Sequence, residues 1–142
     1  MASILGLDLG EKRVGLAISD ELEILATPFS VVRFKNRAEL LLEIEKVVQE
    51  YRIGKIVVGL PKTLKGEIGP AARKTIEEVE CMKARLPEVE WVFWDERLST
   101  AEVERVLLDA DLSRSRRKEV RDKLAAQRIL QNYLDAQKNR SH

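Results

Sequence analysis

Ile4-Leu5-Gly6-Leu7-Asp8-Leu9-Gly10 sets a carboxylate inside an apolar run, and the fold has to be one that uses it. An unpaired charge is expensive to bury, and strands exclude such a residue unless something cationic or catalytic engages it. Alternation puts Ile4, Gly6 and Asp8 on one face and Leu5, Leu7 and Leu9 on the other. Asp8 therefore shares its face with a small glycine, which leaves room beside it. Gly10-Glu11-Lys12-Arg13 then connects to a second strand-like run, Val14 to Ser19, and the pair reads as a β-hairpin.

Outward from the hairpin, residues 24–34 supply a third strand with Pro28 near its start. Asn36 to Tyr51 places Leu40, Leu41, Ile44, Val47, Val48 and Tyr51 on one helical face, with Asn36 and Glu39 resembling a cap. Lys55 to Leu60 is a short β-branched run suited to a strand covered on both faces. After a loop rich in Lys and Gly, helix spacing resumes at Ala72, Thr75, Ile76, Val79, Met82 and Leu86, and Glu90 to Trp94 forms another strand. Ser99 and Glu102 make a capping box that opens a helix carrying Val103, Val106, Leu107 and Ala110. After the basic stretch Ser113 to Lys118, a final helix runs to about Gln137. Strand–helix alternation in the second half gives an α/β class with a mixed sheet.

With 142 residues, 44% of them hydrophobic, the chain has the size of one compact domain. One domain is expected over residues 1–138, with 139–142 as a disordered tail. Neither a signal peptide nor a membrane span is expected, since the longest apolar runs are strand-sized and interrupted by charge. The single cysteine, Cys81, excludes an internal disulfide and a cysteine-cluster zinc site, and suits a reduced, cytoplasmic protein. The one histidine is His142, the last residue, so histidine general-base chemistry is excluded in practice. A net charge of +1 argues against a globally basic nucleic-acid binder, while leaving room for a local patch. Charged residues at 35% fit a thermophilic source.

Whatever chemistry occurs must then use carboxylates, and two further positions join Asp8. Asp95-Glu96 follows the apolar run Trp91-Val92-Phe93-Trp94, where a strand ends, a usual place for functional groups in open α/β sheets. Asp122 lies in line with Ala125, Ala126, Ile129 and Tyr133 at the offsets of one helix face, and the alanines allow that helix to approach the sheet closely. Like charges so close raise one another's pKa unless a cation neutralises them, and oxygen-only ligands suit Mg²⁺ or Mn²⁺. Two such ions about 4 Å apart can activate a water and stabilise the leaving oxygen in phosphodiester cleavage. Each carboxylate taken alone has a plainer reading. Asp8 could cap the hairpin or pair with Lys12 or Arg13, Asp95-Glu96-Arg97 could be a salt-bridged turn, and Asp122 could be a first-turn acid favoured by the helix dipole.

The chain resembles the YqgF family, also called RuvX, of Holliday-junction-resolvase-like or pre-16S rRNA nucleases with an RNase H-like fold. The matching stretches are Gly6 to Gly10 with Arg13 to Asp20, Ala26-Thr27-Pro28, Val57 to Pro61, Trp94 to Thr100, and Asp122-Lys123 through Ala125 to Gln131 to Tyr133-Leu134-Asp135. They occur in family order and span nearly the whole chain. The resemblance implies a five-stranded mixed central sheet flanked by helices, with Asp8, Glu96 and Asp122 as the acidic metal ligands and catalytic residues, and Asp95 as an alternative to Glu96. Leu9 stands where the family often has an aromatic residue, and Lys62-Thr63-Leu64-Lys65-Gly66 differs from the more usual asparagine-containing loop. These departures bear on substrate preference in the loops.

Cations able to hold a polyanion surround the acids: Lys12 and Arg13 in the hairpin, Lys62 and Lys65 after Pro61, Arg97, and the run Arg116, Arg117 and Lys118. Such contacts position a strand without reading its sequence. The expectation is a metal-dependent nuclease acting on structured nucleic acid, with maturation of the 5′ end of pre-16S rRNA implied by the family and four-way DNA junction resolution as its nearest rival. A resolvase acting across a junction needs a two-fold dimer, and sequence leaves monomer and homodimer open. Length argues strongly against a sugar-kinase-like nucleotide-binding module, because it needs two such domains and only one Asp-x-Gly hairpin occurs here. An inert nucleic-acid or ribosome-binding module is the remaining alternative.

Overall fold

The computed structural model describes residues 3–61, 66–95 and 114–140, with backbone alone for 114–120, 122, 123, 139 and 140. Strands β1 (Ile4–Leu9), β2 (Arg13–Ser19), β3 (Ala26–Arg33), β4 (Lys55–Leu60) and β5 (Glu90–Asp95) make one mixed sheet in the order β3-β2-β1-β4-β5. The short turn after β1 returns the chain antiparallel, and β3 continues the meander. Helices α1 (Arg37–Glu50) and α2 (Pro70–Arg85) carry it back to lay β4 and β5 parallel to β1. Helix α3 (Arg114–Arg140) follows β5.

Alternation along the strands divides the interior in two. Leu5, Leu7, Val14, Leu16, Ile56 and Val58 point to the face covered by α1 and α2, where they meet Leu40, Ile44, Val79 and Met82. Ile4, Ala17 and Val57 point to the other face and meet Ala126, Ile129, Leu130 and Tyr133 of α3. β4 is buried on both faces, as its β-branched run requires.

The hairpin, the third strand, the cap of α1 and the extent of β4 match the expectations, and Asn36 Oδ1 accepts from the Glu39 N–H at 2.9 Å. Three boundaries differ. Asp95, expected just after a strand, is the last residue of β5 and pairs with Leu60. The basic stretch expected ahead of the last helix lies within it from Arg114 onward, because Arg and Lys are good helix formers. The same helix runs past Gln137, so residues 139 and 140, expected in a tail, are helical. The capping box at Ser99 and its helix lie outside the described residues.

Candidate active site

Asp8 stands half-buried near the C-terminal end of β1, on the face that α3 covers. The glycines around it make that position open. Gly15 is its partner in β2, and extending the β1–β4 register one step beyond Leu7↔Val58 brings Gly59 beside it. With Gly6 two residues earlier, the carboxylate has neighbours on its own face that carry no side chain.

Helix α3 crosses this face antiparallel to β1. Tyr133 and Leu134 gather with Ile4 at the start of the strand, and Leu130 and Ala126 lie over Gly6. A Cβ at residue 6 would stand 2.8 Å from Leu130 Cβ and 3.1 Å from the Ala126 carbonyl oxygen, so only glycine lets the backbones come this near. From Ala126, one helical turn back to residue 122 covers about 6 Å. From Gly6, two residues on to Asp8 cover about 7 Å. The Asp122 backbone therefore comes abreast of Asp8.

Asp95 is arranged differently. Trp91 and Phe93 pack into the α1/α2 core, whereas Val92 and Trp94 pack on the α3 side. Alternation assigns Asp95 the face of Trp91 and Phe93, away from Asp8. Trp94 stacks edge-on against Tyr133, with ring centroids 5.5 Å apart. The two tryptophans thus serve opposite faces.

Of the expected cationic residues, Lys12 is exposed in the β1–β2 turn, where its carbonyl accepts from the Phe34 N–H at 3.0 Å. Arg13 opens β2 on the α3 face, two positions before Gly15 and hence on the cross-strand diagonal from Asp8, within reach of a long side chain. The backbones of Arg116, Arg117 and Lys118 lie in the first turns of α3, the helix end that runs out past Asp8. Glu96, Arg97, Lys62 and Lys65 lie outside the described residues. Among the described residues no three His, Cys, Asp or Glu side chains gather, and two of the three expected donors, Glu96 and the side chain of Asp122, fall outside that description.

At the other end of β1 and β4, the Lys55 ammonium donates to Tyr133 Oη at 2.9 Å. That bond, with Glu90 nearby, holds its pKa above the ordinary lysine value. On the α1/α2 face, a cavity of about 200 Å³ opens among Leu9, Phe34, Leu40, Pro61 and Thr75. Sequence reading missed the flanking glycines Gly15 and Gly59, whose signal was a glycine in each neighbouring strand. It also missed Gln127 and Gln131, which tie α3 to β3: Gln131 Oε1 accepts from the Ala26 N–H at 2.8 Å and Gln127 Nε2 donates to the Ala26 carbonyl at 3.3 Å.

Comparison with known proteins follows the same lines. The family model RuvX, described as Holliday junction resolvase, matches residues 2–136. A "Putative pre-16S rRNA nuclease" of Thermoanaerobacter pseudethanolicus is 45% identical over 138 residues, 96% of this chain and 99% of the relative. A protein of the same name from Caldanaerobacter subterraneus subsp. tengcongensis is 47% identical over 137 residues, 96% of this chain and 98% of the relative. Among solved structures, Thermus thermophilus RuvC in complex with a Holliday junction substrate superposes with a TM-score of 0.60 at 15% identity, covering 97% of this chain and 96% of the other. The yeast mitochondrial Holliday junction resolvase Ydc2 gives 0.58 at 13% identity over 99% and 81%. At such identities these two structures establish the RNase H-like fold.

Proposed function

This chain belongs to the RuvX family and is a hydrolase of phosphodiester bonds, and from that premise we propose that it is a metal-dependent nuclease maturing the 5′ end of pre-16S rRNA. The observation that carries the reading is the antiparallel run of α3 over Gly6, which sets residue 122 abreast of Asp8 at a glycine-lined strand end. Carboxylates brought together there would have the donor chemistry of an Mg²⁺ or Mn²⁺ site, and Asp8, Glu96 and Asp122 are the ligands of this reading. Such an ion, when bound, supplies activation of a water and stabilisation of the leaving oxygen. Glu96 is preferred to Asp95 because alternation gives Asp95 the opposite face.

The rest of the work falls to this chain's own side chains. Asp8, fixed in a central strand, orients whatever binds at the strand end. Gly6 admits α3 to the strand, and Gly15 and Gly59 add no side chain beside Asp8 where a phosphate would approach. Lys12, Arg13, Lys62, Lys65, Arg97, Arg116, Arg117 and Lys118 hold flanking phosphates without reading sequence. The names of relatives at 45% and 47% identity favour an RNA substrate, and the family description supports four-way DNA as the second reading. No described helix is long and apolar enough to cross a membrane.

The test is cleavage by metal-stripped protein of labelled rRNA-leader transcripts, single strands, duplexes and four-way DNA junctions, with Mg²⁺ or Mn²⁺ restored. Cutting by the wild type and not by Asp8→Asn is expected, with the leader transcript cut fastest. Fastest cutting of the junction would transfer the assignment to resolution, and equal cutting by wild type and variant would sink the site.

A further inference from the structure

The β2–β3 connection, at the end of the sheet remote from Asp8, turns three aliphatic side chains to solvent: Leu22, Ile24 and Leu25 are 69%, 53% and 58% exposed. Contiguous exposed apolar side chains rimmed by polar residues are a mark of interaction surfaces. The loop that presents it is held in place. Asp20 Oδ1 accepts from the N–H groups of Ile24 at 2.8 Å and Leu25 at 3.1 Å. From outside the loop, Gln131 Nε2 donates to the Ile24 carbonyl at 2.9 Å. Glu23 sits in the left-handed region at φ 58°, a conformation that disfavours a side-chain-bearing residue and persists only where its surroundings fix it. Beside the loop lies a groove of about 390 Å³ whose walls include Ile4, Leu22, Ile24, Tyr133 and Leu134.

Charge narrows the choice of occupant. Glu21 and Glu23 flank Leu22, and among the described residues neither forms an ion pair. Asp20 and Asp135 add to the negative field at this end, and these four acids outnumber the two lysines that line the groove, Lys138 and Lys55, the latter engaged by Tyr133 and Glu90. A polyanion is repelled by such a surface. A second copy of the chain is disfavoured too, since a two-fold contact would set Glu21 and Glu23 against themselves, and Pro28 blocks strand addition along the β3 edge.

We propose that the 20–25 loop and its groove dock a basic, amphipathic segment of a partner protein. Its apolar side chains cover Leu22, Ile24 and Leu25, and its lysines or arginines meet Glu21 and Glu23. Ile4, at the groove, is about 13 Å along β1 from Asp8, so a docked partner leaves the carboxylate end open. The inference is independent of the proposed reaction.

The probe is a fluorescent helical peptide of leucine and lysine with its leucines on one face, and the control is a scrambled isomer of the same composition. Wild type is expected to bind the amphipathic peptide about tenfold more tightly than the triple variant Leu22→Ser/Ile24→Ser/Leu25→Ser does, and more tightly than it binds the isomer. Glu21→Gln/Glu23→Gln is expected to weaken binding severalfold, with a deficit that shrinks as salt rises. Amide shifts on binding are expected at residues 20–25 and 133–138, and the spectra of the free variants check that the fold persists. Equal affinity across the variants, or shifts centred elsewhere, would overturn the proposal. So would RNA binding or self-association that the triple variant abolishes, each of which assigns the loop a different occupant.

Discussion

On the α1/α2 face of the two central antiparallel strands stand Leu5, Leu7, Val14 and Leu16, all sealed from solvent. On the α3 face the same strands offer Gly6, Asp8, Gly15 and Ala17. One alternation thus builds two surfaces with different uses. Large aliphatic side chains on the first face fill the space under two helices and form the larger of the two buried clusters. Small residues on the second admit a helix so closely that a single methyl group at residue 6 would collide with it, and they keep a carboxylate accessible. Stability and chemistry are separated across the thickness of one sheet.

Substitutions can break that separation, and Asp8→Asn is expected to have the largest effect. Cleavage should fall about a thousandfold or more, since loss of one transition-state donor alone costs about 10²–10³, while the thermal midpoint stays within a few degrees. A large loss of stability in Asp8→Asn would mean that the carboxylate belongs to the structural face after all. Leu7→Ala, one residue away, should do the reverse: about 2–5 kcal/mol lost in denaturant unfolding, with the activity of the folded fraction unchanged.

Gly6→Ala should join the two effects. Its new methyl group meets the Leu130 Cβ and the Ala126 carbonyl oxygen, so overpacking should cost about 1–3 kcal/mol and activity should drop as α3 is pushed off the strand. Stability lost without activity lost would show that the position of α3 does not govern the site. Gln131→Ala removes the acceptor for the Ala26 N–H and the donor to the Ile24 carbonyl. Urea unfolding should report about 1–3 kcal/mol, with activity retained, because these bonds secure the end of the sheet away from Asp8.

Much of this division was legible in the sequence because it is local. The faces of β1 follow from alternation, the Asn36 cap from side-chain chemistry three residues away, and the double burial of β4 from its β-branched run. Asp122 could be placed on the same helix face as Ala126 and Ile129, and the structure buries both of these. What escaped depends on contacts distant in sequence. Gln131 looks like any polar helix residue until β3 arrives beside it, and nothing local fixes Asp95 as a strand residue or sets its face. The outward-held aliphatics at 22, 24 and 25 escaped for a related reason, since their exposure follows from how Asp20 and Gln131 fold the loop.

The smallest expected effect concerns that loop. N–H donation, first from Ile24 and then from Leu25, holds the Asp20 carboxyl below its ordinary value of 3.8. A depressed folded value means the contribution is complete above the unfolded pKa and disappears as pH falls through the folded one. Amide exchange at Ile24 and Leu25, after correction for intrinsic rates, should be flat at higher pH and rise only below about pH 3.8. In Asp20→Asn that rise should vanish.

The central claim is that the α3 face holds a divalent cation through Asp8, Glu96 and Asp122, with Asp95 outside the set. Calorimetric titration of Mn²⁺ into metal-stripped wild type, Asp8→Asn, Asp122→Asn and Asp95→Asn tests it most directly. The account predicts binding by wild type and Asp95→Asn and its loss in the other two. Binding that survives Asp8→Asn and Asp122→Asn, or that disappears only in Asp95→Asn, would contradict it.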